Sequence, residues 1–156
     1  MLISTDDGHF GFVIARLAGH GMFRFQMIIG GQVIGDQEPC MLGSAMHRLG
    51  NLASLNDARL GRLSESPAEV VRILRSEEEF HDAVTLSLAE SLDQWLIQSY
   101  LYRGDATVLA QEYRNGELDG PVLVSVVSPQ DYHSLVELVG HFWRTESDSP
   151  VVAESA

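Results

Sequence analysis

The feature that most constrains this chain is an alternation that ends at a glycine pair. Phe23, Phe25, Met27 and Ile29 alternate with Arg24, Gln26 and Ile28, the period of a half-buried strand, and Gly30-Gly31 follows at once. Two adjacent residues free to adopt positive φ predict a tight hairpin that returns as Gln32-Val33-Ile34. Upstream, His9 to Leu17 is apolar on both faces, through Phe10, Phe12 and Ile14 against Val13, Ala15 and Leu17, and predicts a more central strand turned by Gly19-His20-Gly21. The chain therefore opens as a β-meander.

From Leu42 the period becomes helical, with Leu42, Ala45, Met46, Leu49, Leu52 and Ala53 on one stripe. Ser66-Pro67-Ala68-Glu69 combines a capping serine, a first-turn proline and a capping-box glutamate, and predicts a short helix through about Leu74. Val84, Leu86 and Leu88 predict a strand over 82–88, and Gln94 to Tyr102, Thr107 to Tyr113 and Val122 to Val127 predict a second meander. Its breaks fall at Gly104-Asp105, at Asn115-Gly116 and at Gly120-Pro121. Ser128-Pro129-Gln130-Asp131 opens a final helix from Pro129 to about Arg144, with Tyr132, Leu135, Val136, Leu138, Val139, Phe142 and Trp143 on its apolar face. Strands, two helices, strands and a helix predict an α+β fold with an antiparallel sheet and the C-terminal helix packed on it. At 156 residues the expectation is one domain over 1–146 with a flexible acidic tail over 147–156.

Charge narrows the function classes. Twenty-two acids against ten basic residues, all arginine and unclustered, give a net charge of −12, which repels nucleic acid and attracts a basic partner. No apolar run approaches the ~18 residues of a spanning helix, the first residues lack a signal peptide's basic region, and Cys40 is the single cysteine. These features predict a cytoplasmic protein without disulfides and without a membrane role. The six histidines lack metal-ligand spacing, Cys40 lacks a local base, and neither a G-x-G-x-x-G nor a G-x-x-x-x-G-K-[ST] loop occurs. The expectation is a non-enzyme without metal or other cofactor.

One block stands out. Glu77, Glu78, Glu79, Asp82, Glu90 and Asp93 fall within a stretch that contains no arginine or lysine. Such a block is ordinarily a solvated face, and its functional reading is a partner-binding surface that steers a cationic protein. Trp95 reads either as an aromatic anchor of that surface or as core.

The run from Met27 to Asp36, MIIGGQVIGD, followed by a leucine-bearing helix, resembles the early hairpin of bacterial polymorphic-toxin immunity proteins, in particular the immunity protein 42 family. The segments Leu92-Asp93-Gln94-Trp95-Leu96-Ile97 and Tyr113-Arg114-Asn115-Gly116-Glu117-Leu118, the latter ahead of Val122-Leu123-Val124, fit the same order, so the resemblance spans roughly residues 10 to 135. Where that family commonly opens the next strand with an arginine, Gly104-Asp105-Ala106 stands here. The resemblance implies an antidote that neutralises a cognate protein toxin by stoichiometric binding, with no catalytic residues and with homo-oligomerisation left open. A basic nuclease is the toxin an acidic surface would suit. An acidic secretion-effector chaperone and a small hydrolase with a dispersed site are the alternatives, to be separated by the neighbouring gene.

Overall fold

The computed structural model describes residues 1–18, 21–43, 45–47, 49, 72, 84–85, 89–102 and 104–148. Strands β1 (Leu2–Ser4), β2 (Phe10–Arg16), β3 (Phe23–Ile29) and β4 (Gln32–Ile34) form one antiparallel sheet in that order. Strands β5 (Val84–Thr85), β6 (Trp95–Tyr102), β7 (Asp105–Arg114) and β8 (Glu117–Val127) form a second, and helix α1 (Pro129–Asp148) follows. The expected α+β class holds, and the two meanders remain separate sheets instead of merging into one.

The strands form where alternation places a continuous apolar face. In the β2/β3 register Phe10 faces Ile29, Phe12 faces Met27 and Ile14 faces Phe25, and all six side chains are buried. The rings interlock: Phe12 stacks on Phe25 at 5.8 Å and meets Phe10 edge-on at 5.4 Å. Ile97, Val108, Ala110, Leu123 and Val127 bring the second sheet to the same core. Helix α1 closes it against β1, β2 and β7 through Tyr132, Leu135 and Val139, and Tyr132 stacks on Phe10. Phe142 and Trp143 pack as partly buried neighbours, whereas Leu138, expected on the apolar face, is exposed.

Local chemistry explains the boundaries. Gly30 and Gly31 have φ of 60° and 76°, and Asn115 and Gly116 have φ of 53° and 80°, so both two-residue hairpins have the paired positive φ of type I′ turns. The Ser128 hydroxyl accepts a hydrogen bond from the Asp131 N–H at 3.0 Å, the predicted N-cap. One strand is added and two readings need correction. Strand β1, with three residues, is too short for a periodicity to show in the sequence, and α1 runs to Asp148, four residues beyond Arg144. Gly120-Pro121 does not separate strands: β8 begins at Glu117, and the pair occupies a register shift where the Gln111 amide donates to the Gly120 carbonyl at 2.9 Å. A proline is tolerated there because β8 is an edge strand and a bulge leaves its nitrogen out of the ladder.

The predicted strand over 82–88 appears as β5 at Val84–Thr85, and its remainder lies outside the described residues. Of the first predicted helix, residues 43, 45–47 and 49 are helical, with Ala45 and Leu49 buried in the core beside Leu42, and later residues lie outside the description. Of the second, only Arg72 is described, and it is helical.

Two serines tie the first sheet to the second half of the chain, Ser125 from β8 and Ser91 from the turn ahead of β6. The Ser125 hydroxyl donates to the His9 carbonyl at 2.6 Å and accepts from the Gly30 N–H at 2.8 Å. The Ser91 hydroxyl donates to the Phe25 carbonyl. Replacing Ser125 by alanine should therefore destabilise the fold by about 1–3 kcal/mol, because it takes partners from two backbone groups at a part-buried junction. Urea unfolding monitored by tryptophan fluorescence measures the loss, and a midpoint equal to wild type would contradict this account of the junction.

Candidate functional site

A turn after β4 builds an acidic feature of the described surface. Gly35 has φ of +100°, a conformation that L side chains rarely adopt, and a Cβ placed on it would lie 2.8 Å from Leu92 Cδ2 and 3.0 Å from the Ser91 carbonyl oxygen. The absent side chain lets the turn press against a short 3₁₀ turn, Glu90–Leu92. The Asp36 N–H then donates to the Ser91 carbonyl at 2.9 Å, the Gln26 amide donates to the Gly35 carbonyl at 2.8 Å, and the Asp36 carboxylate accepts the Glu38 N–H at 2.8 Å. Ser91 and Leu92 are buried beneath, which leaves Glu90 and Asp93 exposed beside Asp36 and Glu38.

Cys40 registers the resulting field. It forms a bridge to Phe23 through reciprocal backbone hydrogen bonds of 2.9 Å, and its thiol is fully buried. Burial, reinforced by the negative charges of Glu90, Asp36 and Glu38, pushes the thiol up to about 11. A thiol held in its neutral form is a poor nucleophile, so this cysteine belongs to the core.

Of the six predicted partner-binding acids, Glu90 and Asp93 lie on this rim, while Glu77, Glu78, Glu79 and Asp82 lie outside the described residues. The structure adds Asp36 and Glu38, which stand far from Glu90 in the chain and meet it only through the Gly35 turn. The pair Gly35-Asp36 ahead of Pro39 was a turn signal, but nothing local indicated its neighbour. Trp95 is partly buried and packs against the core, so it is a framework residue rather than an exposed anchor. Among the described residues, which include His9, His47, His133 and His141, no group of three histidine, cysteine or acidic side chains is placed to hold a metal ion. No helix among them is long and apolar enough to cross a membrane.

The architecture has a counterpart. The crystal structure of CdiI from Burkholderia dolosa AUO158 matches with a TM-score of 0.59 and 21% sequence identity, covering 91% of this chain and 99% of that one. CdiI is a contact-dependent growth inhibition immunity protein. The match extends over nearly the whole of both chains, so the paired sheets and terminal helix are a shared fold. No family model matches the sequence, and no curated protein does. The likeness to immunity proteins noted in the sequence thus extends to the fold of one of them, and the resemblance to the immunity protein 42 family rests on the sequence motifs alone.

The burial of Cys40 has a direct chemical consequence. With a thiol at about 11, roughly one molecule in a thousand carries the thiolate at pH 8. A disulfide reagent such as dithionitrobenzoate should leave the folded protein unmodified at pH 8 and label one thiol per chain in urea. Rapid labelling without denaturant would refute the assignment.

Proposed function

We propose that this protein is an immunity protein that neutralises a cognate bacterial toxin by binding it stoichiometrically, without catalysis. The observation that carries the reading is the likeness of fold to CdiI over nearly the full length of both chains. The charge supports it independently: a net −12 with an exposed acidic rim suits a partner that is itself cationic. A basic nuclease is the toxin class that fits, since groups built to hold phosphates also attract carboxylates. Within this reading Glu77, Glu78, Glu79, Asp82, Glu90 and Asp93, joined by Asp36 and Glu38, steer the encounter. Exposed charges of this kind act on association more than on dissociation.

The test uses the toxin domain encoded by the adjacent gene. Coexpression of this protein should restore growth to cells producing that domain, and the two should copurify at one to one. Failure of both would remove the immunity reading. Reversing Glu90 and Asp93 to arginine together with Glu77, Glu78 and Glu79 should slow association about tenfold at low salt. The difference should shrink in 1 M salt, where the Debye length is ~3 Å. Equal association rates at low salt would remove the steering role and leave immunity standing.

A further inference from the structure

The opposite edge of the first sheet carries a surface of different chemistry. Strand β1 is an edge strand, and α1 lies beside it. Residues of both, among them Met1, Ile3, Leu138 and Phe142, enclose a groove of about 520 Å³ between the two. Of the six large apolar residues exposed among those described, Met1 (51%), Leu2 (64%) and Leu138 (53%) line this groove. An apolar floor with a polar margin of Ser4, His141, Thr145 and Glu146 is the composition of a protein interface.

The hydrogen bonding of β1 says what shape of ligand the groove takes. Met1 and Ile14 exchange backbone hydrogen bonds in both directions, so Met1/Ile14 is a bonded pair of the antiparallel ladder. By alternation Ile3/Phe12 is the next bonded pair, and the N–H and C=O groups of Leu2 and Ser4 point away from β2 toward the free edge. Charges, prolines and bulges commonly blunt such edges, and the run Met1-Leu2-Ile3-Ser4 contains no charged side chain and no proline. At its far end the groove meets a second, polar cleft of about 300 Å³ that shares Ser4 and is lined by Thr5, Asp6, Asp7, Ser128, Asp131 and Ser134. Asp7 is held in its charged form by hydrogen bonds from the Thr5 hydroxyl and the His9 N–H. Apolar and acidic sockets therefore follow one another along a single open strand edge.

We infer that an extended segment of the cognate toxin adds to the free edge of β1 beneath α1, placing apolar side chains against Leu138 and Phe142 and a lysine or arginine in the cleft of Asp6, Asp7 and Asp131. The inference rests on the immunity reading and names its anchoring surface. Strand addition supplies affinity through main-chain hydrogen bonds, and the two sockets supply selection. The charge pattern favours a cationic partner over a second, equally acidic copy of this chain.

Two variants test it against the purified toxin domain of the adjacent gene. Leu138→Glu puts a charge on an already exposed helix position, and Ser4→Pro removes an outward-facing N–H while leaving the β1/β2 bonds unused by that nitrogen intact. Each should keep the wild-type circular dichroism spectrum and raise the dissociation rate about 30-fold or more. Should Ser4→Pro fail to fold, Leu138→Glu decides alone. Hydrogen exchange on the wild-type complex should show new protection at the Leu2 and Ser4 amides. Wild-type binding with Leu138→Glu within threefold of it, and no new protection in β1, would overturn the groove and leave immunity intact. Absence of wild-type binding would overturn the immunity reading itself, and the groove assignment with it. A dimer of the free protein that Leu138→Glu dissociates would give the groove to a second copy, and tighter toxin binding after deletion of residues 149–156 would give it to the chain's own tail. Either result would overturn the toxin strand as its occupant.

Discussion

The hydrogen bonds of the Ser125 hydroxyl are the constraint on which the two-sheet arrangement depends. A sheet that ends against another sheet leaves backbone groups at the junction with no ladder partner, and each buried one must find another. Here the His9 carbonyl receives the Ser125 hydroxyl and the Gly31 N–H, while the Gly30 N–H donates to Ser125. Ser91 performs the same service for the Phe25 carbonyl on the other side of the core. Because these groups are directional, they fix how the two apolar faces meet, which the aromatic packing alone does not. Phe12 on Phe25 and Phe10 on Tyr132 then fill the volume that the serines define.

Much of this frame is legible in the sequence because it is local. Alternation through Phe23 to Ile29, a glycine pair at 30 and 31 and the Ser128 cap each report a neighbour a few residues away, and each has the expected geometry. What was not legible is tertiary. Gly120-Pro121 carries the chemistry of a break, yet an edge position and a bulge let β8 run through it. Leu138 has helical spacing suited to burial and remains exposed, because it lies where α1 passes the edge strand β1, beyond which the described residues place no further strand. The acidic rim was half legible: Glu90 and Asp93 belong to a visible acidic run, but Asp36 and Glu38 join them only because Gly35 turns the chain onto Ser91 and Leu92.

The acidic rim and the apolar groove stand at opposite edges of the same sheet, one beside β4 and the other beside β1. Three interstrand spacings separate those edges, about 14 Å at ~4.8 Å per strand, which exceeds the Debye length of ~8 Å at physiological ionic strength. The rim therefore contributes little to the energy of a group seated in the groove. Its influence lies in the long-range field that a diffusing protein meets before contact, whereas the groove has its own carboxylates at Asp6, Asp7 and Asp131.

The groove's two walls come from opposite ends of the chain, Leu2 from the first strand and Leu138 from the last helix, and Ser125 bonds across 116 residues to His9. At elongation rates of about 5–20 residues per second, roughly 6–23 s separate the synthesis of those two partners. Once residues 2–34 have been made, the strands of the first sheet still wait for β8, which carries Ser125, and for the helix whose Tyr132 stacks on Phe10. A nascent chain on the ribosome thus exposes its most aromatic strands and lacks the groove, and the finished surface appears only when synthesis is nearly complete.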